Sequence, residues 1–123
     1  SKIDGIKMMY TEGDLLTFKV WSSGDAYLRV FMFATEDFII FPNNWEQSFM
    51  LKANETYEFP QKIEITLDAG GAKKETNRLV FVLLKRDIPY TGDVDYKLIT
   101  DWIMSIPPDE RAIKSFGFEV VKQ

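Results

Sequence analysis

The acidic side chains that follow Gly92 form the densest group of potentially reactive residues in the chain. Asp93, Asp95 and Asp101 fall within one short stretch. Two carboxylates that face one cleft can hydrolyse a glycosidic bond, and carboxylate oxygens are also the ligands that calcium prefers, although the rest of a calcium-binding loop is missing. Because anionic side chains are favourable at helix N-termini, we interpret this group as helix capping rather than as a catalytic or metal site.

The chain contains no histidine and no cysteine, which removes most other catalytic arrangements. It therefore has no imidazole base, no thiolate nucleophile and no metal site built from these residues. No serine is followed by a lysine three positions later, so the compact serine–lysine signature is absent as well. We predict no catalytic residue, no metal site and no cofactor. A small carboxylate-based hydrolase that uses Glu64 or Asp95 is the third of our functional hypotheses.

The 18 aromatic side chains are the second group of candidates. Most lie inside apolar runs and are predicted to pack in the core. An outward tryptophan next to amide side chains is typical of a surface that stacks on a sugar ring or contacts a peptide. The predicted binding residues are Trp21, Asn43, Asn44, Trp45 and Phe49. In the alternative that we favour, the irregular connection around Trp45 folds back and its aromatic side chains cap the open end of the core.

Charge and hydropathy exclude two classes of partner. The net charge is −4, and the 15 basic and 19 acidic side chains are spread along the chain. Nucleic-acid binding requires a concentrated positive surface, so we predict no nucleic-acid partner. The longest apolar run, from Leu79 to Leu84, is far shorter than the roughly 20 residues that cross a bilayer, so we predict no transmembrane segment in this chain.

The elements that must position these residues are mostly strands, because apolar side chains recur at every second position. We predict strands at 16–20, 27–33, 38–41, 57–59, 63–67, 79–84 and 116–120, and one more near residues 6–10. Between Asp95 and Ile106 the apolar spacing is helical, with Asp93 or Asp95 as the N-cap and Pro107 after the end. This pattern predicts a single mainly β domain over residues 1–123. We expect a two-sheet antiparallel β-sandwich, immunoglobulin-like, with one short C-terminal helix, and a barrel is the nearest alternative.

Four segments in a fixed order resemble a bacterial family, number 4384 among the domains of unknown function. They are residues 12–18, 27–31, 40–44 and 52–60, and the most specific parts are Phe41-Pro42-Asn43 and the run that ends in Phe59-Pro60. The resemblance covers Tyr10 to Lys85. Members usually carry glycine at the position of Asn54, a mild difference because asparagine tolerates a left-handed backbone. The resemblance implies a small β-sandwich module, attached to other domains in bacterial envelope, secreted or signalling proteins, with no assigned activity.

These observations lead to a first functional hypothesis and one principal alternative. We expect a non-catalytic module of a larger bacterial protein, in the periplasm, associated with the outer membrane or secreted. Its role would be to bind a protein partner or to space neighbouring domains. The alternative is glycan binding through Trp45 and the amides of Asn43 and Asn44.

Overall fold

The computed structural model describes residues 1–123 and consists of two β-sheets that share a core, with one helix on the outer face of the larger sheet. The prediction of a mainly β fold with two sheets and one helix near the C-terminus is confirmed. The helix, α1, spans Tyr96–Ser105, and a short 3-10 turn follows at Pro108–Glu110. The strands are β1 (Lys2–Asp4), β2 (Met9–Thr11), β3 (Phe18–Trp21), β4 (Ala26–Phe33), β5 (Asp37–Phe41), β6 (Met50–Leu51), β7 (Thr56–Phe59), β8 (Lys74–Leu84) and β9 (Arg111–Val121).

The small sheet has the order β1-β3-β7, and the large sheet has the order β2-β9-β8-β4-β5, with β6 paired to the start of β4. All pairs are antiparallel except one. β2 runs parallel to β9, with Tyr10 opposite Val120. Parallel neighbours need a long connection between them, and here most of the chain separates the two strands, so local sequence patterns could not reveal this pairing.

The space between the sheets is filled by side chains of alternating strand positions. Phe18 of β3 and Phe59 of β7 meet large-sheet residues such as Phe81 of β8. The ring centroids of Phe18 and Phe81 lie 4.9 Å apart in an edge-to-face arrangement, a favourable geometry for aromatic pairs. Most aromatic side chains of the strands therefore stabilise the sandwich core, as their strand positions predict.

The strand β4 and the C-terminal half of β8 are buried on both faces. Their second face packs against α1 through Phe31, Val82 and Leu84, which contact Ile99 and Ile103 of the helix. The helix begins where predicted, since the Asp95 side chain accepts a hydrogen bond from the Leu98 amide at 3.0 Å. Neither α1 nor the 3-10 turn has the length and apolar character that a bilayer span requires.

The strand predicted at residues 63–67 is wrong. Its pairing is limited to one bridge between Leu15 and Thr66, flanked by backbone hydrogen bonds between residues 65–67 and residues 13–16. The amide of Ile63 instead donates to the carboxylate of Glu46, at 3.2 Å. A side chain thus satisfies backbone groups that would otherwise join a ladder. The first strand, β1, was not predicted because its three residues are too few to show a period.

We expect the helix to depend on its buried stripe rather than on helix propensity. Ile99→Ala should lower the free energy of unfolding by about 2–4 kcal/mol, because it removes a fully buried side chain between α1 and the sheet. The neighbouring change Leu98→Ala is the matched control, since Leu98 is exposed, and it should cost less than about 1 kcal/mol. Urea unfolding of both variants makes the comparison, and equal losses would contradict the assigned packing.

Candidate functional site

A groove of about 710 Å³ lies on the helix-bearing face of the large sheet, beside the edge strand β5. Its walls come from β4, β5, the 42–48 loop and the loop between β8 and α1. We call it the Trp45 groove, and its lining includes Arg29, Phe31, Asp37, Phe38, Ile39, Pro42, Asn43, Asn44, Trp45, Ser48, Asp87, Pro89, Tyr90 and Val94.

Arg29 lines the groove from the middle of β4, where strand alternation puts it on the same face as Phe31. Only 3% of this residue is exposed, and burial of a guanidinium is tolerated only when its donors are satisfied. Nη1 donates to Ser48 Oγ at 2.9 Å and to the Leu28 carbonyl at 3.0 Å. Nη2 donates to Asp87 Oδ1 at 2.6 Å and to the Ile88 carbonyl at 2.9 Å. Arg29 therefore holds two separate loops against the sheet.

Asp87 is the charged partner of Arg29 and is half exposed. The hydrogen bond from Arg29 is the largest influence on its pKa. Together with the bond from Ser48 and the nearby positive charge, it holds the pKa of Asp87 below its ordinary value of 3.8, although desolvation acts in the opposite direction. The carboxylate is therefore anionic at neutral pH and is a poor proton donor.

The loop that carries Trp45 is fixed by two side chains. Asn43 Oδ1 accepts hydrogen bonds from the amides of Trp45 and Glu46, both at 2.9 Å, and Asn43 Nδ2 donates to the Ile40 carbonyl at 3.1 Å. Glu46 is buried, and its Oε2 accepts hydrogen bonds from the backbone amides of residues 61, 62 and 63. These bonds set the path of the backbone, so Trp45 is presented on a constrained loop.

Three aromatic side chains give the groove its apolar surface. Trp45 is 65% exposed and Phe38 is 41% exposed, whereas Tyr90 is half-buried and packs edge-on against Phe31 and Trp102. The Tyr90 hydroxyl donates to the backbone carbonyl of Asp93. Desolvation, and after it the negative charges of Asp93 and Asp95, raise the pKa of Tyr90, so its hydroxyl stays protonated and serves as a donor.

The structure brings three of the five predicted binding residues together and separates the other two. Asn43, Asn44 and Trp45 line the groove. Phe49 is half-buried and packs against Phe41, Tyr57 and Phe59, so the interpretation that this connection caps the core holds for Phe49 but not for Trp45. Trp21 lies in a different cleft of about 330 Å³ on the small sheet, with Lys2, Asp4, Lys19 and Thr56.

The acidic residues singled out in the sequence do not line the groove. Asp95 caps α1, and Asp101 accepts a hydrogen bond from Lys97 Nζ at 2.9 Å. Glu64 is exposed and does not line the groove. No group of three or more acidic side chains is placed to hold a metal ion.

The groove residues that were not predicted from the sequence include Arg29, Phe38, Asp87 and Tyr90. A signal for Arg29 was present, because a lone charge inside the apolar run 27–33 indicates a buried ion that needs acceptors. Its partner Asp87 lies 58 positions along the chain, and no spacing rule connects the two.

The family model described as Domain of unknown function (DUF4384) matches residues 9–82, which is more than half of the chain. This protein belongs to the DUF4384 family. Comparison with curated proteins and with solved structures gave no match. The DUF4384 match includes Arg29 and the whole 42–48 loop, but it ends before Asp87, Tyr90 and α1. The groove is thus formed jointly by the family segment and by the part of the chain that follows it.

Asp87→Asn should lower the free energy of unfolding at neutral pH by about 1 kcal/mol, because the bonds from Arg29 lose charge assistance at a half-exposed position. Folding lowers the pKa of Asp87 below its ordinary value of 3.8. The charge of Asp87 therefore contributes fully to the free energy of unfolding at pH values above 3.8, and this contribution is lost as the pH falls through the lowered pKa. The stability difference between the two proteins should therefore shrink in acid, as measured by urea unfolding at a series of pH values. Asp109→Asn, at an exposed residue, is the control, and a difference for Asp87→Asn that is constant with pH would contradict the ion pair.

Proposed function

We propose that this domain is a non-catalytic binding module of a bacterial extracytoplasmic protein and that it contacts a protein partner or a neighbouring domain through the Trp45 groove. The observation that carries the proposal is the exposure of Trp45 on a constrained loop at a concave surface. Tryptophan is one of the residue types enriched among those that dominate binding energy at interfaces. An exposed tryptophan beside Phe38 and Tyr90 gives an apolar patch that a partner would remove from water.

The state of the charged residues in the groove supports a binding role over a catalytic one. Arg29 is bonded to loop acceptors, Asp87 is held as an anion, and Asp37 Oδ2 accepts the Tyr96 amide at 2.8 Å. Each of these groups has a structural partner, whereas hydrolysis by two carboxylates requires one to be protonated as an acid. The hydrolase hypothesis would be revived if the domain cleaved a glycan or an ester and lost that activity on Asp95→Asn or Glu64→Gln.

The extracytoplasmic location rests on the family resemblance, which implies modules of envelope, secreted or signalling proteins. Fractionation of bacteria that express the natural full-length protein is the direct measurement. We expect the protein in the periplasmic, outer-membrane or secreted fraction. Recovery from the cytosol alone would contradict this part of the proposal.

A photo-crosslinking amino acid at Asn44 should capture one discrete protein in living cells, because Asn44 is exposed and lines the groove beside Trp45. Trp45→Ala should weaken the captured complex by about 2 kcal/mol, or about thirty-fold in affinity, as expected for a dominant tryptophan. The same crosslinker at Glu64, exposed but outside the groove, is the control. Equal capture from both positions, or capture that Trp45→Ala leaves unchanged, would overturn the proposal.

Glycan binding is the second candidate, favoured because Asn44 and the exposed Trp45 both line the groove. A glycan array followed by titration of any hit makes the test, with Trp45→Ala compared with Trp21→Ala. Loss of binding with the first variant alone would support a glycan ligand. An absence of hits, or equal binding by both variants, would rule it out.

A further inference from the structure

The charged side chains around the Trp45 groove are mostly acidic. Asp37 and Asp87 line the groove, and Asp93 and Asp95 flank the lining residue Val94. The only basic lining residue is Arg29, and its charge is matched by Asp87. The N-terminus of α1 contributes about half of a positive charge, which is less than the acids that surround it. Lys97 is the cation near Asp95, but its ammonium is paired with Asp101 at 2.9 Å. The charged groups at and beside the groove therefore sum to a negative charge at neutral pH.

This field reaches the aromatic surface. The charges of Asp93 and Asp95 add to desolvation in raising the pKa of Tyr90, so both acids act on a ring that lines the groove. Asp87 uses only Oδ1 to accept from Arg29 and Ser48, and its Oδ2 accepts no hydrogen bond. One carboxylate oxygen of the groove thus keeps its capacity for an incoming donor.

The backbone beside the groove favours an extended ligand. β5 is the terminal strand of the large sheet, and Asp37, Phe38 and Ile39 of this strand line the groove. An edge strand presents backbone donors and acceptors that have no neighbouring strand. A peptide in extended conformation can pair with such an edge while its alternate side chains enter the adjacent groove.

We infer that the Trp45 groove receives an extended segment of a partner protein that carries lysine or arginine side chains. This inference rests on the proposed protein-binding function and names the chemistry of the partner. A cationic side chain over the Trp45 ring is attracted by the ring face, and the carboxylates around it supply the opposite charge. A neutral glycan would stack on the ring but would gain nothing from the negative field.

Isothermal titration with a capped peptide of alternating threonine and lysine, and with its threonine–glutamine counterpart, tests the inference. The lysine peptide should bind more tightly, and its binding should weaken as salt is raised from low ionic strength to about 0.3 M. The double variant Asp93→Asn/Asp95→Asn should bind it about three- to ten-fold more weakly, since two charges are removed while asparagine still caps α1. Trp45→Ala should weaken it at least as much.

The matched control is Glu58→Gln/Glu64→Gln, which removes the same number of charges at exposed positions outside the groove and should change the affinity less than about two-fold. Equal weakening by the control and groove variants, or no preference for lysine over glutamine, would overturn the inference. If the glutamine peptide binds in a Trp45-dependent and salt-independent manner, the inference is overturned and the proposed protein-binding function stands. If neither peptide binds and crosslinking from Asn44 captures nothing, both are overturned.

Discussion

The guanidinium of Arg29 lies where water does not reach, so its donors must find acceptors within the chain. A charged group left unpaired in such a place costs several kcal/mol, which makes the surrounding acceptors a requirement of folding. Ser48 and Asp87 meet that requirement from two loops that are far apart in sequence. The width and position of the Trp45 groove follow from this constraint, because the same bonds hold both of its loop walls to β4.

The sequence allowed the layers of the fold to be predicted, because each layer has a strong local pattern. The two-residue period located most strands, and the spacing from Leu98 to Ile106 located α1 together with its Asp95 cap. Asn54, where members of the family usually carry glycine, adopts the left-handed backbone with φ of 66°. The strand prediction for residues 63–67 is wrong because the apolar alternation there resembles a strand, whereas the backbone amide at the start of the segment donates a hydrogen bond to Glu46.

The groove was less predictable than the fold for a physical reason. Trp45 and its neighbouring amides were found because an aromatic in an irregular loop is visible by residue type alone. Asp87 and Tyr90 join them only through the three-dimensional arrangement of β4, β8 and α1. Their segment also lies outside the part of the chain that matches DUF4384. Members that share residues 9–82 but differ after β8 would keep one wall of the groove and change the other, so the shape of the groove can diverge while the sandwich is retained.

The parallel pairing of β2 with β9 has a mechanical consequence. The Glu119 amide donates to the Met8 carbonyl at 3.0 Å, and the Glu12 amide donates to the Val121 carbonyl at 2.8 Å, so bonds at both ends of β2 connect it to β9. A tension between the beginning of β2 and the end of β9 would act along the strand direction. Because the two strands run the same way, this force would slide them past each other and load their hydrogen bonds together, whereas pulling across a hairpin would break such bonds one after another. The parallel pairing therefore places β2 and β9 in a shear geometry under such a force.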